Sequence, residues 1–343
     1  MAGGCLMLES GVGLLAASSL DGAALVLGGI ALLFIGGEFL VKASIALATR
    51  FQLGPVTIGL TVVAAATSLP ELVVSLIAQQ TGSTDLVIGN ILGSNIFNIA
   101  AVLGIGSLII PLPSSPMIRR FQLPVLLAAT LLLPGFLFLQ VETGATEEIP
   151  RWLGAVLLVS LVIILRQTLS WSRRKSEREV ATQIEKEIGE QPPYQSLAPT
   201  LLLLVIGSAG LWYGGTLLVD GALVIVAALG VEEGVIGLTI VAAGTGAPEL
   251  FATIASLRHG VAGLALGNIV GSNLFNLLAI FGSAALISPI PFPLEEWHIN
   301  LAIHAVATLA MLVLISGRIN HRVLGVFFCL GYVFYLIYLS AST

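Results

Sequence analysis

The chain reads as an all-α integral membrane protein of ten transmembrane helices, built as two inverted five-helix repeats. Three observations lead there. Of its 343 residues, 57% are hydrophobic and only 10% charged, and the mean hydropathy is +1.03; a soluble domain is about a quarter charged. The apolar runs are long and do not alternate with period two, which favours helices over a barrel. Finally, one stretch is written twice. GLTVVAAATSLPE (Gly59–Glu71) followed by GNILGSNIFN (Gly89–Asn98) returns as GLTIVAAGTGAPE (Gly237–Glu249) followed by GNIVGSNLFN (Gly267–Asn276). The offset is 178 residues without a gap, and 27 of 70 positions agree between Gly36–Ile105 and Gly214–Ser283. Shared hydrophobicity does not produce that agreement, so the unit is duplicated.

The segments follow in order. The first, 22–49, ends at Arg50. The second, 53–79, is longer than the roughly 20 residues a bilayer requires and contains Pro70, so it should be tilted or broken. The third, 84–110, carries the glycine- and asparagine-rich motif. The fourth, 121–141, follows Arg119 and Arg120, and the fifth, 152–170, leads into the polar stretch 171–198. The sixth covers 199–219. Within the seventh, 223–254, Glu232 and Glu233 mark an interface, and the membrane part begins near Gly234. The eighth, ninth and tenth are 261–288, 299–316 and 323–341. The domain plan is thus a tail at 1–21, a first repeat at 22–170, a cytoplasmic linker at 171–198 and a second repeat at 199–343. Residues 10–20 lack a preceding basic region and are read as tail, not as a cleaved signal. Cys5 and Cys329 suggest neither a disulfide framework nor a metal site.

Placing the N-terminus outside puts 13 of the 14 lysines and arginines at the cytoplasmic side, Arg151 being the exception. Each half then has an odd number of spans, so the second enters the membrane inverted relative to the first. Copies of one motif meet halfway across the bilayer in that arrangement.

The duplicated motif has a definite chemistry. Thr67 and Glu71 share a helix face, as do Thr245 and Glu249. Pro70 and Pro248 remove backbone donors and free carbonyls near Ala64–Ala66 and Ala242–Gly244. Asn90, Ser94 and Asn98 recur every four residues, and so do Asn268, Ser272 and Asn276. The donors are all oxygen, which suits Ca²⁺ and Na⁺ and not zinc, copper or iron. Two carboxylates balance one divalent ion. No lysine or arginine lies at comparable depth to neutralise Glu71 or Glu249, so a packing role explains them poorly. A lone threonine usually bonds back to its own helix, and GxxxG more often packs helices than marks a site. Glu38, Lys42 and Asp220 are read as interfacial or structural, and His304 as a satisfied or interfacial histidine.

At these residues the chain resembles the cation/calcium exchanger superfamily and, within it, the sodium/calcium exchangers of prokaryotic type. The resemblance rests on the (G/A)TSLPE-like motif paired with GNxxGSNxxN in both halves, and on the five-plus-five layout. It implies a secondary active antiporter that exchanges Ca²⁺ for Na⁺ by alternating access at a midplane site. Carried over, Glu71 and Glu249 are the central ligands of both ions, assisted by Thr67 and Thr245. Ser68, Ser94 and Ser272 serve sodium, with the carbonyls of Ala64 and Ala242, while Asn98 and Asn276 line the middle. The segments holding Gly36–Lys42 and Gly214–Asp220 become the sliding helices. Two departures stand out. Gly246 replaces the serine matching Ser68, and Asn276 is neutral where some relatives carry an aspartate, as in potassium-independent exchangers. No cofactor is implied beyond the transported ions. The partners are Ca²⁺, Na⁺ and the lipid bilayer, with no nucleic acid and no obligate protein partner. The compact loops point to an inner (plasma) membrane. A cation/proton antiporter exchanging Ca²⁺ for H⁺ on the same fold is the alternative. An intramembrane enzyme is disfavoured by the lack of a Ser-His, paired-Asp or HExxH arrangement.

Overall fold

The computed structural model describes residues 3–112, 116–172, 196–228, 244–315 and 320–342. Most of the expected linker and residues 229–243 of the expected seventh segment, with Glu232, Glu233 and Ala242, lie outside the described residues, while residues 223–228, expected to open that segment, instead continue the helix of the sixth. Helix α1 is Gly3–Phe51. It begins well before the expected segment, so the stretch read as a tail continues the helix; its apolar, membrane-length part starts at Leu20. Gln52 turns the chain with a φ of 52°, and Pro55 then occupies the first turn of the next helix, where its missing N–H costs nothing.

That next element is broken, as the proline pattern predicts. Helix α2 (Pro55–Thr67) and helix α3 (Leu69–Gln80) meet at a bend of 46°. Helix α4 (Thr84–Ile109) returns, followed by α5 (Ile118–Thr143) and α6 (Arg151–Ser172). In the second half lie α7 (Leu197–Ala228), α8 (Ala247–Arg258), α9 (Ala262–Ile287), α10 (Leu294–Ile315) and α11 (His321–Ser342). Among the described residues eight helices are long and apolar enough to cross a membrane, or nine if the bent α2–α3 pair counts as one span. The molecule is a multi-pass membrane protein.

Matching positions of the duplicated unit take matching shapes. Both α4 and α9 open into a π-helical turn at the motif's last asparagine, Asn98–Leu103 in one and Asn276–Ile280 in the other. The extra residue in such a turn redirects the side chains that follow, and these turns cluster at functional sites. The two halves are joined outside the core as well. Strand β1 (Glu148–Ile149) pairs antiparallel with β2 (Ile290–Pro291), and the Arg151 guanidinium donates to the Ile287 carbonyl at 2.9 Å.

Helices α1 and α7 run antiparallel along a glycine seam. Gly22, Gly29 and Gly36 face Gly221, Gly214 and Gly207, a step of seven residues on each side. A Cβ at those α1 positions would fall 2.9, 2.7 and 2.6 Å from α7 backbone atoms, so only glycine permits the approach. Leu33, Leu40 and Leu211 fill the spaces between and are buried. The pair lies against α8. There Glu38 Oε1 of α1 meets His259 Nε2, just past the end of α8, at 2.7 Å, and also Lys42 Nζ at 3.2 Å. The remaining core is α2–α3, α4, α8 and α9, with α5, α6, α10 and α11 around it.

Candidate functional site

Two helix starts converge at the centre of that core. Ser68 interrupts α2–α3 with φ −86° and ψ 9°, and Gly246 does the same before α8 with φ −83° and ψ −4°. In each case proline follows at the second helical position and glutamate at the third. Glu71 and Glu249 therefore sit in first turns, where the partial positive charge of unpaired N–H groups favours a carboxylate. That compensation matters, because Glu71 is 1% and Glu249 0% exposed.

Ser68-x-x-Glu71 has the spacing of a capping box, in which the serine would serve its own helix. It makes no such bond. Instead its hydroxyl donates across the core to Glu249 Oε1 at 3.1 Å, tying the first copy of the motif to the carboxylate of the second. Thr67 Oγ1 lies 3.2 Å from Asn268 Oδ1 and 3.4 Å from Ser272 Oγ. Two asparagines brace the glutamates from behind in a repeated pattern. Asn90 donates to the Glu71 carbonyl (3.1 Å) and to Ser75 (2.9 Å); Asn268 donates to the Glu249 carbonyl and to Thr253, both at 3.4 Å. Asn276 donates to Asn95 Oδ1 at 3.1 Å, closing the far side.

What is left without a protein partner defines the chemistry. Both carboxylate oxygens of Glu71, Glu249 Oε2, Ser94 Oγ, Asn98 Oδ1 and Asn276 Oδ1 are buried with no hydrogen-bond partner. Buried acceptors left bare cost free energy and are rare in native proteins. A hard cation coordinated by oxygen resolves that cost. Among the described residues no group of three or more His, Cys, Asp or Glu side chains gathers. A cleft of about 170 Å³ opens against both proline turns, lined by Pro70, Pro248, Thr245, Thr216 and Asp220.

The structure thus brings Glu71, Glu249, Thr67, Ser68, Ser94, Ser272, Asn98 and Asn276 into the same buried core, while Thr245 lines the cleft and Ala242 lies outside the described residues. One expectation needs correction. The Ala64 carbonyl is not freed by Pro70: it accepts the Ser68 N–H at 3.0 Å and the Thr67 hydroxyl at 3.3 Å. Proline at 70 deprives the carbonyl four residues back, at Ala66, and the Ser68 N–H remains available to Ala64. Thr67 also bonds back to the Val63 carbonyl at 3.1 Å, as an ordinary helical threonine does. His304, expected to be satisfied or interfacial, is buried at 1% exposure, and its Nε2 finds no partner. Lys42, expected to be interfacial or structural, pairs with Glu38 one turn earlier on the same helix at 3.2 Å. Sequence reasoning missed Asn95, Asn273, Ser75 and Thr253. Asn95 and Asn273 are identical in the two copies, and treating every duplicated polar position as a candidate finds both.

Comparison with known proteins places this geometry among ion exchangers. The family model described as "Sodium/calcium exchanger protein" matches residues 22–167 and 199–341. A protein named putative antiporter CaxA, from Alkalimonas amylolytica, is 35% identical over 92% of this chain and 98% of its own length. Inner membrane protein YrbG of Escherichia coli is 33% identical over 78% of this chain and 80% of its own length. A solved structure of the sodium-calcium exchanger NCX_Mj, soaked with Na⁺ and Ca²⁺, superimposes with a TM-score of 0.77 at 28% identity, over 92% of this chain and 97% of that one.

Proposed function

This chain belongs to the sodium/calcium exchanger family, and from that premise we propose that it carries Ca²⁺ one way and Na⁺ the other through the buried core where Ser68 meets Glu249. The observation that carries the reading is the crossed contact itself: Ser68 of one motif holds Glu249 of the other, while Glu71 keeps both oxygens bare. Glu71 and Glu249 are the central ligands in this reading. Thr67, Thr245, Ser68, Ser94 and Ser272 supply hydroxyls, Asn98 and Asn276 supply amide oxygens, and the carbonyl of Ala242 completes the set.

Exchange follows from charge. Two ionised carboxylates in a low-dielectric core are costly without counter-ions, so an empty pocket resists reorientation. Either Ca²⁺ or sodium relieves the cost, and only a filled pocket changes its access. The ten helices form two inverted halves, 22–170 and 199–343, with residues 1–21 ahead of them and the linker 171–198 on the cytoplasmic side. With the N-terminus outside, the cleft at Asp220 and Thr245 is the outward mouth, where a carboxylate attracts cations. Helices α1 and α7 slide across the core as the mouth closes. The name of the Escherichia coli relative supports an inner membrane. Family membership argues against the proton as the coupling ion.

Sodium-loaded vesicles diluted into sodium-free buffer test this directly. Radiolabelled Ca²⁺ should accumulate only with the gradient and should not do so in Glu71→Gln or Glu249→Gln. Normal gradient-driven uptake by both variants would end the proposal.

A further inference from the structure

The cleft against the two proline turns has a counterpart by sequence, and the counterpart is filled. To the cleft, α7 presents Trp212, Thr216, Val219 and Asp220. Under the 178-residue offset these positions become Phe34, Glu38, Val41 and Lys42 of α1. Phe34 packs edge-on against Phe251 of α8 with ring centroids 4.7 Å apart, and a Cβ at Gly37 would lie 3.0 Å from the Phe251 carbonyl oxygen. Val41 is 0% exposed, whereas its counterpart Val219 lines the cleft. One end of the core is thus open, and the matching end is shut by α1 lying on α8. A charged contact spans the shut end. His259 Nε2, just past the end of α8, donates to the Glu38 carboxylate at 2.7 Å. Lys42 Nζ also reaches Glu38, but it belongs to α1 and moves with it. The positions matching Glu38 and His259 are Thr216 and Thr81, whose hydroxyls bond back to Trp212 and Ile77 of their own helices. The open end therefore has no equivalent tie.

We propose that Glu38 and His259 form a one-sided latch, which holds α1 against α8, keeps the second mouth shut and biases the protein toward the state whose cleft at Thr245 is open. The proposal rests on the exchange reading above and names the contact that must break before an ion can pass on the His259 side. Its strength suits that task. A hydrogen bond to a charged group outweighs a neutral one, so it shifts a two-state equilibrium measurably. The two side chains are nevertheless 28% and 27% exposed, so water can solvate both when they part and the latch reopens without a buried charge left bare.

The test places one cysteine at either end, by Val41→Cys or Val219→Cys, in full-length protein whose Cys5 and Cys329 are replaced by serine. Membranes open to solvent on both faces are treated with a water-soluble maleimide, and the labelling rate is followed. Position 219 should react faster than position 41. His259→Ala should raise the rate at 41 roughly tenfold, the change that loss of one charge-assisted hydrogen bond gives in a two-state equilibrium, without raising the rate at 219. Glu38→Ala should do the same, and combining the two should add nothing, because both remove a single contact. His259→Arg, which keeps a donor for Glu38, should leave position 41 protected. Unchanged labelling at 41 in His259→Ala protein that elutes monodisperse from detergent would overturn the latch. So would a rise at both positions, which reports general loosening, or additive rises in the double variant. Labelling needs no ion gradient, so failure to exchange sodium for calcium would overturn the exchange reading and be told apart from failure of the latch.

Discussion

Glu71 and Glu249 differ in surroundings although they descend from one position. Glu249 accepts the Ser68 hydroxyl, and Glu71 accepts nothing from a side chain. Replacing Glu71 by glutamine removes a buried charge without stranding a partner, so the ion-free protein should melt no lower than the native one. The variant should nevertheless lose its response to the ion. Native protein should gain about 2.7 kcal/mol when Ca²⁺ reaches roughly a hundred times its dissociation constant, and Glu71→Gln close to none, as read by thermal melting in detergent. Ser68→Ala should weaken sodium about tenfold, corresponding to about 1.4 kcal/mol, and calcium less, because calcium draws more of its binding from the two carboxylates. Competition of Na⁺ against radiolabelled Ca²⁺ measures both. The glutamates were legible in the sequence because an intramembrane carboxylate is expensive and these two share a proline-broken context. The packing of the Phe97 ring over Gly246, where a Cβ would lie 2.3 Å from it, was not legible, because an apolar residue in an apolar helix carries no signal in the sequence. Ala64 misled for a related reason, since a proline indicates which N–H is lost but not where the neighbouring donors go.

At the scale of elements, the broken helices are held open by asparagines reaching across from adjacent helices. Asn90 and Asn268 each bind the carbonyl of the glutamate residue and a hydroxyl one turn further on. Asn268→Leu would leave the Glu249 carbonyl and the Thr253 hydroxyl without that donor, at a cost of about 1–3 kcal/mol in a buried setting. Its melting temperature should fall together with its calcium affinity, and Ser68→Ala, which takes the donor from Glu249 Oε1, should also lower the ion-free melting temperature while weakening sodium more than calcium. The glycine seam permits a sharper test. Gly36→Val forces a branched side chain into the α7 backbone and should lower stability by about 1–3 kcal/mol or more. Valine at Gly135 of α5, where a Cβ would meet nothing within 4 Å, should be tolerated in the same melting assay. The breaks in α2–α3 were readable from Pro70, but the pairing of specific asparagines with specific carbonyls depends on helix-to-helix distances that no local pattern encodes.

Across the whole molecule, the duplicated halves should enter the membrane in opposite senses. Gln80 and Arg258 are equivalent positions, both exposed beside the short loop that follows α3 or α8. In a background with Cys5 and Cys329 replaced by serine, a cysteine at 80 should react with an impermeant maleimide on intact cells. A cysteine at 258 should react only after permeabilisation. Labelling of both from one side would refute the inverted arrangement. This expectation draws on the entire chain, because a gapless repeat and the distribution of basic residues are not local properties. The glycine seam has one more consequence. Shifting the contact between Gly29 and Gly214 by 178 residues turns it into the contact between Gly207 and Gly36, its neighbour on the same seam. The interface is therefore isologous, as in a twofold homodimer. Each half already carries both faces of its own partner surface. In evolutionary terms, two separate copies inserted in opposite directions could close this seam before any linker joined them, so the fusion needed no new interface.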